Sequence, residues 1–293
     1  MLDGALMNLY APLNDPIIFD LKLRCVNIKN PLLAESPIIF HGVNKSGSLA
    51  FAKVLHDAYS RSGNLNRFMC RYMQLPAGRS EALDEFKDKL PIYPILIDHG
   101  LVGFEDNFNN AKLVTLLRDP VERMVSIYFW LKSNHSEKIM GRDLVTWVRH
   151  ESRVYSQVRQ FAFDHRDART AHNLDRMSVG EMISIAEHRF MDKVEWYGVC
   201  EKFEESVIMF LALIGFTKVP VWEVDVRNTH KPKAEALPRK LHQEISDIIG
   251  YDIAFYESKK VAFEKSLEQL DLNQEILQYK KLVNEVTTEV TGG

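Results

Sequence analysis

Residues 37–55 read PIIFHGVNKSGSLAFAKVL, and this stretch is the strongest indication of the fold. The apolar run Pro37–Phe40 is typical of a buried strand, and the apolar residues after Gly47 recur at helical spacing. Between them lies a loop rich in glycine and serine that also contains Lys45. The order differs from a Walker A loop, in which the lysine follows the second glycine. The stretch therefore predicts a strand–loop–helix unit that suits an anion but is a poor match for a nucleoside triphosphate.

Further apolar runs alternate with helical patterns along the chain. Phe203, Val207 and Phe210 follow the spacing of one helix face, and Ser178 with Glu181 has the form of a capping box. This alternation predicts an α/β fold around a central, mainly parallel sheet. The predicted strands are Pro37–Phe40, Ile92–Ile97, Leu113–Leu117 and Tyr197–Cys200.

Composition and charge argue against several classes of protein. The chain has 293 residues, and its hydrophobic and charged fractions, 46% and 26%, are ordinary for a globular protein. The net charge of −3 provides no general basic field for nucleic acid or an anionic membrane, so an anion site must be local. No signal peptide or transmembrane segment is recognisable, and the three separated cysteines suggest neither disulfides nor a zinc site. We therefore expect a cytoplasmic protein with no nucleic-acid or membrane partner.

The chain divides by pattern into three parts. Residues 1–35 are predicted to be irregular, residues 36–257 to form the main domain, and residues 258–293 to form a C-terminal helical extension. The Glu-, Lys- and Leu-rich tail has apolar residues near heptad spacing, but the repeat is short and broken. A packed or protruding helix is therefore favoured over a dimeric coiled coil, and a homodimer stays open.

The loop after the first strand contains several groups that suit an anion. Ligands in open α/β folds bind beyond the carboxyl ends of the strands, and this loop lies at such an end. The amides of residues 46–49 are expected at a helix N-terminus, where they would face an anion together with two serine hydroxyls. Lys45 adds a positive charge. The alternative is an ordinary strand–helix turn with an exposed lysine.

A second motif follows a later strand, where residues 113–130 read LVTLLRDPVERMVSIYFW. Asp119 is a suitable N-cap, the proline after it suits the first helical position, and Glu122 would complete a capping box. Arg118 would emerge at the carboxyl end of the strand, and its guanidinium together with the hydroxyl of Ser126 suits a phosphate dianion. The alternative for Arg118 is a surface ion pair with Asp119 or Glu122.

The helix that starts in this motif is predicted to be amphipathic. Arg123, Ser126 and Trp130 fall on the face opposite to its apolar residues. Trp130 is a large aromatic residue that a purely solvated face rarely carries. The predicted apolar face comprises Val121, Met124, Val125, Tyr128 and Leu131.

The two motifs, K-S-G-S after the first strand and R-D-P-x-x-R-x-x-S-x-Y after a later one, together resemble the signatures of sulfotransferases that use 3′-phosphoadenosine 5′-phosphosulfate (PAPS). The resemblance covers residues 37–265. It implies a P-loop-like three-layer fold, in which helices flank the central sheet and a C-terminal helix follows, and it makes residues 36–257 a sulfotransferase domain. By resemblance, Arg118 and Ser126 hold the 3′-phosphate. The residues that would hold the 5′-phosphosulfate are Lys45, Ser46, Gly47, Ser48 and Leu49.

Downstream segments resemble the carbohydrate branch of the family, and the uronyl 2-O-sulfotransferases in particular. Residues 227–238, RNTHKPKAEALP, are similar to a late basic loop that closes over the cofactor in that branch. Two positions of the first loop depart from the family, because Asn44 stands where proline is usual and Leu49 where serine or threonine is common. The late loop implies cofactor contacts from Arg227, Thr229, Lys231 and Lys233.

The resemblance also implies a mechanism. The sulfuryl group would move in line from PAPS to an acceptor hydroxyl or nitrogen, while Lys45 neutralises the leaving oxygen and no metal takes part. Uronyl 2-O-sulfotransferases carry a catalytic histidine in a His-Gly stretch, and His99, at the end of a predicted strand, is similar in position. A histidine that titrates near neutrality is a suitable general base. Asp98 and Glu105 are the other candidates, and the alternative for His99 is a core or capping role.

The expected acceptor follows from charge and location. Enzymes that sulfate long polyanions usually need a basic groove, whereas this chain has a net charge of −3. We therefore expect a small soluble acceptor, such as a natural product or glycoside. A glycan or polysaccharide acceptor is the alternative, since several arginines lie between residues 132 and 176. A P-loop kinase or a non-catalytic scaffold is less favoured, because the Walker lysine order is missing and both anion-binding motifs are present.

Overall fold

The computed structural model describes residues 18–20, 36–62, 68–70, 95–98, 106, 110–163, 173–221 and 237–291. For residues 18–20, 68–70, 95–98 and 286–291 the description covers the main chain alone. The strands in these ranges are β1 (Ile18–Asp20), β2 (Ile38–His41), β3 (Phe68–Cys70), β4 (Ile95–Asp98), β5 (Lys112–Leu117), β6 (Val194–Val199) and β7 (Lys218–Pro220).

Helices account for most of the rest of the described chain. They are α1 (Ser48–Arg61), α2 (Pro120–Asn134), α3 (Leu144–Tyr155), α4 (Gln157–Ala162), α5 (Val179–Lys193), α6 (Phe203–Leu213), α7 (Arg239–Ile248), α8 (Gly250–Gln269) and α9 (Asn273–Thr291). Short 3-10 helices lie at Ser136–Lys138 and Cys200–Lys202. The predicted capping box at Ser178 and Glu181 is confirmed at the start of α5.

β2 is the central strand of a five-stranded sheet with the order β3-β4-β2-β5-β6. Neighbouring strands in this sheet are parallel, and β1 pairs with β7 in a separate antiparallel ribbon. All four residues of β2 are buried, as expected for a parallel strand that is covered on both faces. The predicted α/β fold around a mainly parallel sheet is confirmed. The predicted strand Tyr197–Cys200 is displaced, because β6 ends at Val199 and Cys200 opens a 3-10 helix.

Consecutive side chains of β6 show that helices cover both faces of the sheet. Trp196 packs against Phe210 of α6 at a centroid distance of 4.7 Å, and Tyr197 packs against Phe190 of α5 at 4.9 Å. Adjacent residues of a strand point to opposite faces, so α6 and α5 lie on opposite sides. Phe51 of α1 lies 5.4 Å from Phe210, which places α1 on the same side as α6. The three-layer arrangement is therefore confirmed.

The C-terminal region forms two helices that pack onto the main core. Phe263 of α8 and Tyr279 of α9 are both buried in the principal hydrophobic cluster. The Tyr279 hydroxyl also donates a hydrogen bond to the carbonyl of Pro220 in β7 at 2.8 Å. The predicted boundary between residues 257 and 258 falls inside α8. Among the described residues, none of the helices has the combination of length and apolar character needed to span a bilayer.

Gly198 in β6 tests the close packing of β6 against its neighbours. A Cβ atom at this position would lie 2.5 Å from Leu116 Cδ2 and 2.7 Å from Ser206 Cβ. We expect Gly198→Ala to lower the free energy of unfolding by about 2 kcal/mol, because the strand and α6 must separate to admit the methyl group. Urea denaturation followed by circular dichroism measures this change.

Gly250→Ala is the matched control. A Cβ atom there meets nothing within 4 Å, and the residue lies in the first turn of α8. Its free energy of unfolding should stay the same or rise, since alanine favours a helix. Equal losses for the two variants would contradict the close approach at Gly198.

Candidate functional site

The pairing of β2 with β5 brings the two predicted motifs to the same edge of the sheet. His41, the last residue of β2, is in register with Thr115, and the Thr115 hydroxyl donates to the His41 carbonyl at 2.8 Å. The loop that contains Lys45 follows β2, and Arg118 follows β5 directly. Asp98, at the end of β4, is in register with His41 on its other side. The carboxyl ends of three adjacent strands therefore meet at this edge.

The loop between β2 and α1 turns through two left-handed residues. Lys45 has a φ of 64° and Gly47, the N-cap of α1, has a φ of 84°. The buried Ser46 hydroxyl donates to the Val43 carbonyl at 2.8 Å and lies 2.8 Å from the Ser48 hydroxyl. A non-glycine residue in the left-handed region costs roughly 1–2 kcal/mol. The loop thus holds its lysine in a strained conformation that the serine hydroxyls help to define.

The main-chain amides of the loop divide into two groups. The Ser46 amide donates to the Val43 carbonyl at 3.1 Å, so it closes the turn, and the expectation that it faces an anion is wrong for this conformation. The amides of Ser48 and Leu49 lie in the first turn of α1, where helix N–H groups have no partner within the helix. Anion binding at the loop therefore depends on the start of α1.

Arg118 connects the second motif to the loop. Its Nη1 donates to the Lys45 carbonyl at 3.0 Å, and its Nη2 donates to Glu122 at 3.1 Å. The main chain of Arg118 is held on both sides by Gln157, whose side chain accepts from the amide at 3.1 Å and donates to the carbonyl at 2.9 Å. The sequence predicted that Arg118 emerges at the carboxyl end of its strand, where the structure places it. The structure adds its direct hydrogen bond to the loop.

The start of α2 follows the prediction in part. Asp119 caps the helix, because its carboxylate accepts from the Glu122 amide at 2.8 Å. The predicted reciprocal bond from Glu122 is replaced, since the Asp119 amide donates to Glu201 at 3.0 Å and the Glu122 carboxylate accepts from Arg118. The ion pair between Arg118 and Glu122, raised as an alternative, is therefore present. Glu201 also approaches Arg118, with 4.0 Å between its carboxylate and Nε.

Burial changes the proton affinity of two groups at this edge. Partial burial, and secondarily the charge of Arg118, lower the pKa of Lys45 from the ordinary value of 10.5. Burial raises the pKa of Glu201, although its carboxylate accepts a hydrogen bond from the Tyr256 hydroxyl at 2.7 Å. The Lys45 ammonium lies 5.7 Å from the centroid of Trp130, whose side chain is 42% exposed. A bound anion would relieve the repulsion between the two cations.

α2 is buried more completely than its sequence pattern predicts. The predicted apolar face is buried, but Arg123 and Ser126 on the opposite face are buried as well, so Trp130 alone of that predicted trio faces solvent. Arg123 donates to the Asn44 carbonyl at 3.3 Å and lies 3.6 Å from Asp252. Sequence reasoning missed Arg123, although the second arginine of R-D-P-x-x-R was a visible signal.

The remaining predicted site residues lie at the ends of β2 and β4, in the first turn of α1, or outside the described ranges. Asp98 is described by its main chain alone, which ends β4 at the same edge as the loop. Leu49 is in the first turn of α1 with its side chain exposed, and His41 is buried beside Phe161. Within the described residues, no group of three or more metal-ligating side chains is assembled. The predicted residues outside the described ranges are His99, Glu105, Arg227, Thr229, Lys231 and Lys233.

Comparison with known proteins finds a low-level similarity to one solved structure. No protein-family profile and no curated protein match the chain. A solved structure of a sulfotransferase from Alicyclobacillus acidocaldarius is similar at 16% sequence identity and a TM-score of 0.42, covering 76% of this chain and 94% of that chain.

Gly47 tests the geometry of the loop. Its φ of 84° disfavours any side chain, and an added Cβ would lie 3.1 Å from Cys200 Sγ. We expect Gly47→Ala to lower the free energy of unfolding by about 1–2 kcal/mol, from the backbone cost alone. The exposed helix position Gly180, where a Cβ meets nothing within 4 Å, provides the control variant Gly180→Ala. Thermal unfolding compares the midpoints of the two variants with that of the wild type. An unchanged midpoint for Gly47→Ala would contradict the left-handed turn.

Proposed function

We propose that the protein is a PAPS-dependent sulfotransferase that transfers a sulfuryl group to a small soluble acceptor. The observation that carries this proposal is the contact between the two motifs. Arg118 of R-D-P-x-x-R-x-x-S reaches the carbonyl of Lys45 in K-S-G-S at 3.0 Å. Two cationic side chains and the start of α1 therefore converge at the carboxyl ends of adjacent parallel strands. A nucleotide with phosphate groups at both ends of its ribose suits this pair of anion-binding groups.

The proposed roles follow the charges that change during transfer. The bond between sulfur and the phosphate oxygen of PAPS breaks while a bond from the acceptor oxygen to sulfur forms. Lys45 stabilises the negative charge that develops on the leaving oxygen. The proton of the acceptor hydroxyl passes to a general base, for which His99 is the first candidate and Asp98 and Glu105 are the others. Arg118 and Ser126 hold the 3′-phosphate, and Arg227, Thr229, Lys231 and Lys233 contribute from the late loop.

The charge balance of the site supports a small acceptor over a polyanionic glycan. Within the described part of this edge, the positive charge of Arg118 is partly balanced by Glu122 and Glu201 beside it. The whole chain has a net charge of −3. A chain with this charge would attract a polyanion only weakly, whereas a neutral glycoside or natural product needs no electrostatic attraction to bind.

The donor proposal predicts selective binding of adenosine 3′,5′-bisphosphate without a metal. Isothermal titration should show that the bisphosphate binds at least about tenfold more tightly than adenosine 5′-monophosphate, because Arg118 adds a charge-assisted contact to the 3′-phosphate. Arg118→Met and Ser126→Ala should remove most of this difference. Arg149 is exposed on α3, so Arg149→Met controls for the loss of one positive charge.

The same titration distinguishes the other functions. Tighter binding of ATP with magnesium than of the bisphosphate would indicate a kinase and overturn the donor proposal. Absence of binding to either nucleotide would favour a non-catalytic scaffold. A bisphosphate site that discriminates equally well in Arg118→Met would contradict the assignment of the 3′-phosphate.

The lowered pKa of Lys45 predicts a cost to stability in the ligand-free protein. The folded state binds the Lys45 proton more weakly than the unfolded chain does, so the charge destabilises the fold at neutral pH. This cost fades as the pH rises through the lowered pKa towards 10.5, the ordinary value. Lys45→Met should therefore unfold at a higher temperature than wild type at neutral pH, and this advantage should shrink in the alkaline range.

The variant should bind the bisphosphate and PAPS more weakly in spite of its greater stability. Thermal unfolding with and without ligand measures both effects in one series. A Lys45→Met protein that is less stable than wild type at neutral pH would show that the lysine is a structural residue.

A further inference from the structure

We propose that Arg123, through its buried pair with Asp252, is a positioning residue that holds the anion-binding loop and Arg118 in place. The expected effect on ligand affinity rests on the proposed function. The contacts of Arg123 do not, because they are present in the ligand-free protein. The sequence motif contains Arg123 without indicating its partner Asp252, which lies in the first turn of α8.

Arg123 is fully buried and contacts three separate parts of the chain. Its Nη1 donates to the Asn44 carbonyl at 3.3 Å, one residue before Lys45. Its Nη2 donates to the Tyr155 carbonyl at the end of α3. The same nitrogen lies 3.6 Å from the Asp252 carboxylate, which is also buried. A single guanidinium therefore joins the loop, the end of α3 and the start of α8.

Asp252, the partner of Arg123, also holds the start of α4 in place. Its two carboxylate oxygens accept hydrogen bonds from the amides of Gln157 at 3.1 Å and Val158 at 2.9 Å. The side chain of Gln157 in turn holds the amide and the carbonyl of Arg118. A continuous series of hydrogen bonds thus runs from α8 to the main chain of Arg118. The side chain of Arg118 then connects this series to the loop, because it donates a hydrogen bond to the Lys45 carbonyl.

The arrangement of two carbonyls and one carboxylate around residue 123 suits arginine better than lysine. A guanidinium presents donors in a fixed plane and can serve two carbonyls and a carboxylate at once, whereas an ammonium is a point charge. Burial of a charged group is costly unless it is paired and hydrogen-bonded. Removing Arg123 would leave the Asn44 carbonyl without this donor and the buried Asp252 carboxylate without its cationic partner. The loop would then lose one of its contacts to the body of the protein.

Lys259 provides a control on the same helix. Its ammonium is buried between Phe190 and Phe255, with centroid distances of 5.2 and 5.0 Å, and it pairs with Glu187. Lys259→Met removes a largely buried ion pair of α8 and should lower stability. Phe190, Glu187 and Phe255, which contact the Lys259 ammonium, lie on α5 and α8, so its loss should not release the loop.

The experiment compares Arg123→Met, Arg123→Lys and Lys259→Met by hydrogen–deuterium exchange and by bisphosphate titration, each at a temperature where the variant is folded. We expect exchange of residues 42–50 to accelerate about tenfold in Arg123→Met and to stay unchanged in Lys259→Met. The dissociation constant of adenosine 3′,5′-bisphosphate should rise about tenfold in Arg123→Met and less than about twofold in Lys259→Met. Arg123→Lys should fall between wild type and Arg123→Met in both measurements, and it keeps the test available if Arg123→Met fails to fold.

The two measurements separate the positioning role from the donor proposal. Faster exchange of residues 42–50 in the Arg123 variants supports positioning even if the wild-type protein does not bind the bisphosphate, in which case the donor proposal alone fails. Exchange that is the same in the Arg123 variants as in Lys259→Met overturns the positioning role, whatever the affinities are. A weakened affinity without faster exchange also overturns it, since Arg123 would then act by another route.

Discussion

The parallel pairing of β2 with β5 is the constraint on which the site depends. Lys45 and Arg118 are 73 positions apart in the chain, yet Arg118 reaches the Lys45 carbonyl. They meet because His41 is in register with Thr115 and both strands end at the same edge. A shift of one residue would exchange the faces to which the side chains of a strand point. The hydrogen bond from the Thr115 hydroxyl to the His41 carbonyl is an additional tie between the strands at this point.

Two energetically unfavourable features, a strained backbone and a partly buried charge, coincide at Lys45. Lys45 combines a left-handed backbone with a partly buried charge, and the charge of Arg118 opposes it. Strain of this kind persists where the surrounding structure over-determines it, and it is common at functional sites. Here the surroundings include the serine hydroxyls of the loop and the buried Arg123. A turn with a purely structural purpose would have no need of a lysine in this conformation, which favours a role for Lys45 in binding.

The sequence predicted four of the five strands of the central sheet, several of its helices and the edge at which the motifs meet, because buried parallel strands and capped helices leave local patterns. The cap at Asp119 and the strand before Arg118 are examples in which neighbouring residues decide the outcome. The sequence did not predict the pair of Arg123 with Asp252, because no local pattern relates residues so far apart. It did not indicate that Arg123 and Ser126 are buried, because a helical period shows which residues share a face but not how many faces are covered. The left-handed turn at Lys45 was unexpected because glycine is the residue that normally adopts this conformation.

The carboxylates around Arg118 bear on how a ligand would be recognised. Glu122 and Glu201 lie beside a guanidinium whose side chain is 15% exposed, so its charge is partly balanced before any anion arrives. Burial raises the pKa of Glu201, which means that its charged form is less favoured there than it is in water. An incoming phosphate dianion would further disfavour that charge and would compete with Glu122 for the same guanidinium. Because the described carboxylates reduce the long-range attraction of Arg118 for an anion, selection would depend on short-range hydrogen bonds that only a correctly shaped anion can make. Specificity for a doubly phosphorylated nucleotide is therefore compatible with a chain of slightly negative net charge, which attracts polyanions poorly.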